Sequence, residues 1–353
     1  MQTTSMPIKG STSFVLDSMR IIASLTVLFS HAMDQWFPST QHGIEDNGPF
    51  AHAAVVVFFV LSGYVISFTT TSKKRGWKDY VVARFSRLTS VVYPALLLSI
   101  IAQLILKYWN PELLLSYYRG HDLIRYSLVA LFSNEVWLLS AAPPINRPMW
   151  SLSFEFWYYL IFGAWLYRAK GYLGWIVLAV VCLIAGPKIL AMMPIWIFGC
   201  FAYRAQKKDF GLLNWILSVL LIVASFFAMI YLPAFPKGIG SAPFYFANQF
   251  VTDWVVGAMF AVALWLLPNV ELSILKDSFV NKYRVIADLT FPLYVLHLPL
   301  ILLFRTLVPF KVNDYAQYFT CVFCIIIVAG ILGYILEKQR YIWIKLFKKL
   351  FKV

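Results

Sequence analysis

Blocks of about twenty consecutive apolar residues recur along the whole chain, and they leave few folds open. A block of that length crosses about 30 Å of hydrocarbon as a helix. In lipid every backbone N–H and C=O is paired inside the protein, so a span is a helix or a strand of a closed barrel. The apolar residues run continuously and do not alternate, which selects helices. The blocks fall at 14–33, 50–71, 88–108, 148–167, 172–187, 189–204, 212–232, 250–267, 285–305 and 316–336. The expected fold class is all-α, a polytopic transmembrane helical bundle of about ten spans. It is expected to be a single domain over 1–353 with no fused soluble domain. The polar stretch Met1–Thr12 precedes the first block, which has no small-residue cleavage site and is read as a retained span.

Charge orients the bundle. The chain is 61% hydrophobic, 13% charged and carries a net charge of +14. The basic residues sit mainly in short segments between apolar blocks: Lys73, Lys74, Arg75, Lys78, Arg84 and Arg87, then Arg168 to Lys170, Arg204 to Lys208, Lys276 to Arg284, and Lys338 to Lys352. Lys and Arg stay cytoplasmic, so an even number of spans places all of these segments, and both termini, inside. Topology thus explains the excess charge, and no nucleic-acid partner is expected. Residues 123–140 are apolar but hold Arg125, Asn134 and Glu135. Counting them as a span inverts every later loop, so 109–147 is read as an extracytoplasmic or re-entrant excursion. Tyr341–Val353 reads as a basic amphipathic stretch against the lipids of the inner leaflet.

Ionisable residues within spans cost about 2.5–3.5 kcal/mol each on insertion scales and are functional candidates for that reason. The first span carries Asp17, Arg20 and His31. Arg20 and His31 are eleven residues apart, which is about three turns, so they project from one helical face with Asp17 a turn before them. The plain alternative is a buried Asp17–Arg20 ion pair with a hydrogen-bonded core histidine. Arg147-Pro-Met-Trp150 opens the fourth span, with Glu155 about two turns in. By depth, Glu155 and His31 are expected at one level, where they form an acid–base pair. Trp150, Trp157, Tyr158 and Tyr159 read as an interfacial belt or a platform for a sugar, the last two more as belt. Arg84 and Arg87, a turn apart at the mouth of the third span, suit phosphate, while Lys73 to Arg75 read as simple anchoring.

Lesser signals complete the pattern. Ser62-Gly63 is a small pair that permits close helix approach. His297 is a further intramembrane histidine, and His42, His52 and His121 show no metal-ligand spacing. Cys321 and Cys324 have redox-type spacing but read as ordinary buried thiols.

Five motifs in order resemble the acyltransferase-3 family of membrane acyltransferases: Leu16-Asp-Ser-Met-Arg20 through His31, Phe58-Phe-Val-Leu-Ser-Gly-Tyr64, Arg84-x-x-Arg87 with Tyr93-Pro94, Trp150-Ser-Leu-x-x-Glu155-x-x-Tyr158, and Thr290-x-x-Leu-Tyr294-x-x-His297 with Glu337-Lys338. Two departures stand out: Pro94 comes seven residues after Arg87, and Thr290-Phe-Pro replaces a common Ser-Tyr pair. The resemblance implies O-acyl transfer, commonly of acetyl, from cytoplasmic acetyl-CoA to a hydroxyl of a cell-surface polysaccharide, a lipopolysaccharide O-antigen or a lipid-linked saccharide precursor. The place implied is the plasma membrane, the bacterial inner membrane. In that reading His31 is the general base or a transient acyl carrier, and Glu155 orients or deprotonates. Arg20 holds a CoA phosphate or the thioester oxyanion, and Arg84 and Arg87 meet the donor from inside. Asp17, Arg147, Trp150 and His297 are weaker candidates for holding substrate. Acyl-CoA is a donor substrate; no tightly bound cofactor or metal is expected. A proton-coupled transporter or flippase is the competing class, since buried Arg, His and Glu suit one.

Overall fold

The computed structural model describes residues 8, 10–38, 49–72, 76–205, 211–270 and 277–352. His42, Lys73, Lys74 and Arg75 lie outside them. The described residues are all-helical with no strand. The helices are α1 (Gly10–Trp36), α2 (Pro49–Ser72), α3 (Trp77–Trp109), α4 (Pro111–Tyr117), α5 (Asp122–Ala130), α6 (Trp150–Leu166), α7 (Tyr172–Ala185), α8 (Pro187–Arg204), α9 (Leu212–Tyr231), α10 (Phe250–Leu266), α11 (Asp277–Asp288), α12 (Thr290–Leu307) and α13 (Tyr315–Phe351).

Among these, 6 helices are long and apolar enough to cross a membrane, or up to 7 if a bent pair counts as one span. The bent pair is α7 with α8, which meet at 113° where spans are expected at 172–187 and 189–204. At 14 residues α7 is only about 21 Å long, short of the hydrocarbon thickness. The corner is Gly186, whose φ is +84° and whose added Cβ would stand 2.6 Å from the Trp137 Cα. Only glycine meets both conditions.

The excursion over 109–147 holds no spanning helix among its described residues. Asn110 ends α3 and caps α4, its side chain accepting from the Leu113 N–H, with Pro111 in the first turn. After α5 the chain is irregular up to Arg147. Arg125 explains how a charge lives in this apolar segment: its guanidinium donates to the carbonyls of Gly120, Ser140, Ala142 and Arg119.

The chain divides into two compact units. The first comprises 1–27, 46–75 and 190–290. Within it α9 packs on α10, and both pack on α2. The small pair expected to allow close approach does so: a Cβ added at Gly63 would lie 1.9 Å from the Trp196 carbonyl oxygen, and one at Gly199 2.0 Å from that of Val60. Trp196 Nε1 donates to Ser62 Oγ at 3.2 Å across the same contact. Backbone atoms cannot swing aside as a side chain can. Gly63→Ala is therefore expected to cost about 3 kcal/mol by overpacking, measured as a lowered Tm in detergent.

The second unit comprises 28–45, 76–189 and 291–353. Here α3 runs along α13 and touches α4, α5 and α6, while α6 packs on α7. Its core includes Ala102, Leu106, Tyr117, Ile145, Leu298 and Leu302. The amphipathic stretch expected after Tyr341 is the uninterrupted end of α13. Trp343 packs edge-on against Tyr93 at 5.3 Å and Phe347 against Phe85 at 5.9 Å, so its aromatic residues pack against α3.

Candidate active site

The charged face of α1 divides between the units. In the first, Arg20 Nη1 stands 3.5 Å from Asp17 Oδ1 and 3.7 Å from Asp288 Oδ1. Asp17 Oδ2 is 3.9 Å from Arg284 Nε. Two guanidinium groups and two carboxylates balance one another here, which realises the ion pair that the spacing of Asp17 and Arg20 allowed.

His31 lies in the second unit, near the end of α1, and is buried. Its Nδ1 is 3.5 Å from Asp34 Oδ2, a carboxylate one turn further along the same helix. Its ring stacks on His297 with centroids 5.2 Å apart. His297 is 1% exposed, and its Nδ1 sits 2.6 Å from the Tyr294 carbonyl oxygen. A carbonyl only accepts, so Nδ1 carries the hydrogen and Nε2 carries the lone pair. That Nε2 is buried and has no hydrogen-bond partner among the described residues.

The start of α6 is locked to α12 beside these rings. Tyr294 donates its hydroxyl to the Pro148 carbonyl at 2.9 Å and lies 2.7 Å from Ser151 Oγ. Asn146 Nδ2 donates to Ser99 Oγ and to the Val295 carbonyl, each at 3.0 Å. Arg147 is buried in the 3-10 turn ahead of α6. It lies in electrostatic reach of Tyr117, as do Arg305 and Asp34. Trp150 is buried edge-on against Phe154 at 5.2 Å. Trp157, Tyr158 and Tyr159 are buried too, so the belt expected of the tyrosines is replaced by packing inside the unit.

Glu155 is half-buried and accepts a hydrogen bond at Oε1 from the Tyr159 hydroxyl, one turn on. The Arg84 guanidinium lies 5.9 Å from the Tyr159 ring centroid. Arg87 is in electrostatic reach of Arg84 and Tyr159, and Glu155 in reach of Arg84 and Tyr294. The polar side chains of the second unit thus form a string: Asp34, His31, His297, Tyr294, Glu155, Tyr159, Arg84. His31 was expected to meet Glu155; the partners found for it are Asp34 and His297, because a residue three positions on in a helix shares its face. Sequence reasoning gave no site role to Asp34 or Ser151, read Tyr159 as belt or sugar platform, and met Tyr294 only within a motif. The Asp34 signal was available, three residues after His31.

Among the described residues no group of three or more His, Cys, Asp or Glu could hold a metal ion. The histidines and carboxylates of the string can carry acid–base chemistry. A carboxylate at Nδ1 of an imidazole holds the ring with Nε2 bare, the form that accepts a proton from a hydroxyl.

An O-acetyl transferase of Shigella phage Sf6 is 26% identical over 244 residues, which are 63% of this chain and 70% of the relative. No solved structure matches. A family model described as an acyltransferase domain matches residues 14–336, from the first apolar block to the last. The chain therefore belongs to the acyltransferase-3 family and is a membrane O-acyltransferase.

Proposed function

We propose that this protein moves an acetyl group from cytoplasmic acetyl-CoA to a sugar hydroxyl of a surface polysaccharide, an O-antigen or a lipid-linked precursor. The observation that carries the reading is the buried His31–His297 stack, with Asp34 on one ring and a bare Nε2 on the other. His31 takes the proton from the sugar hydroxyl. The sugar oxygen attacks the thioester carbonyl, the C–S bond breaks, and the CoA thiolate leaves with the proton held by His31. His297 Nε2 accepts a hydrogen bond from the acceptor and positions it. Arg84 and Arg87 bind the donor's phosphates, with Glu155 and Tyr159 fixing Arg84. Arg20, already balanced by carboxylates, has the weaker claim on the donor.

The sidedness follows the positive-inside pattern: about ten spans in the plasma membrane, both termini cytoplasmic, arginines at the inner mouth and the histidines toward the outer face. The acetyl specificity rests on the name of the phage relative. The test is proteoliposomes given acetyl-CoA and acceptor glycan. Free CoA thiol and a new sugar ester should appear together, in equal amounts. Movement of glycan across the bilayer without thiol release would make the protein a carrier instead.

A further inference from the structure

A cavity of about 390 Å³ lies in the second unit, among α3, α6 and α7, away from the histidines. Its walls include Tyr80, Leu160, Ala164, Val177 and Val181 and are mostly apolar, with Arg84 and Tyr159 of the polar string also lining it. The size is that of a small-molecule site. Gly163 lets the Tyr80 ring of its wall pack against α6: a Cβ there would meet Tyr80 Cε1 at 2.8 Å. The wall supplied by α7 adjoins a helix face on which Leu173, Trp175, Ile176, Val177 and Val180 are exposed, the surface a bilayer covers.

One end of this cavity is cationic. An adjoining depression of about 450 Å³ is lined by Arg168, Lys170 and Trp175, and the two share Arg168 and Ala169. The Arg168 guanidinium sits 5.6 Å from the Trp165 ring and 5.0 Å from the Trp175 ring, and donates Nη1 to the Trp165 carbonyl at 2.7 Å. Aromatic rings hold it in place while its other N–H groups stay open. Among the described residues neither Arg168 nor Lys170 has a carboxylate partner. A greasy slot ending in two unmatched cations fits an amphiphile with an anionic head.

We propose that this is a binding site for an anionic glycerophospholipid: one acyl chain fills the cavity, and the phosphate rests on Arg168 and Lys170. Lateral exposure to the bilayer favours a membrane lipid over a soluble donor. Tryptophans flanking the guanidinium suit the headgroup level. Basic pockets beside membrane helices bind anionic headgroups by the same charge complementarity. The cavity shares Arg84 and Tyr159 with the proposed donor site, and displacement by acyl-CoA separates the two readings.

The experiment exchanges purified protein into phosphatidylglycerol or phosphatidylcholine of identical chains and reads retained lipid by native mass spectrometry and Tm. Phosphatidylglycerol should be retained and raise Tm; phosphatidylcholine should do neither. Arg168→Gln with Lys170→Gln, on an exposed loop, should lower retention of phosphatidylglycerol about tenfold, a change of roughly 1.4 kcal/mol. Val177→Trp, which fills the cavity, should abolish retention while leaving the charges in place. Equal retention of the two lipids, indifference to either variant, or displacement of the lipid by long-chain acyl-CoA at lower concentration would each overturn the proposal. The last outcome would make the cavity part of the donor site.

Discussion

His31→Gln is expected to lower the rate of ester formation by about 10²–10⁴-fold, the usual share of a positioned general base. Glutamine keeps a polar tip of similar reach but does not titrate near neutrality. The loss should fall on kcat, with donor affinity little changed, because the arginines proposed to hold acetyl-CoA belong to α3. Asp34→Asn is the companion variant. The amide no longer stabilises the imidazolium that forms as the proton moves, so the loss should be smaller than that of His31→Gln. Thiol release and ester formation are read side by side, with Tm confirming that each variant is folded. A His31→Gln protein within a few-fold of the parent rate would remove the histidine from the chemistry. It would leave the polar string a structural role.

Much of the fold was legible because lipid is a strict solvent. Each apolar block had to pair its own backbone, and nearly every expected span is a helix in the structure. The count of crossings was less legible. Hydropathy reads length and composition, while the 113° corner between α7 and α8 depends on one glycine backbone and on what packs against it. The contact of the end of α13 with α3 was not legible for a related reason. A basic amphipathic sequence has an apolar stripe, and the sequence alone does not say whether lipid or α3 will cover it.

The site was legible at its anchors and not in its pairing. His31, Glu155, Arg84 and His297 stood out as costly groups in apolar surroundings. Which of them meet depends on helix rotation and tilt, and these are set by packing contacts far apart in sequence. Asp34 was hidden because it sits just past the apolar block, where an acid needs no explanation. Tyr294 and Ser151 were hidden because a hydroxyl in a span is unremarkable until a partner is found. Glu135 shows the opposite case. As a charge in an apolar segment it argued against a span, and the structure gives it a structural partner, Lys188.

That pair carries the second large expected effect. Both side chains are 0% exposed, and the Lys188 ammonium also donates to the Leu139 carbonyl, tying the irregular segment to the start of α8. Lys188→Met is expected to cost about 3–5 kcal/mol, because the partner charge stays behind in the interior. Burial pushes the Glu135 carboxyl up to about 7 even with Lys188 pulling it down. Without the lysine it must rise further. A carboxyl raised in the folded state binds its proton more tightly there than in the unfolded chain, so its penalty is absent below the unfolded pKa and full above the folded one. The variant should therefore be measurably more stable at pH 5 than at pH 8. Glu135→Leu combined with Lys188→Met leaves no charge behind, and should recover most of the lost stability and flatten that pH dependence. Unfolding followed in detergent at the two pH values decides the matter. A single variant as stable as the parent, or a double variant no better than the single one, would mean that the pair is not holding the segment in place.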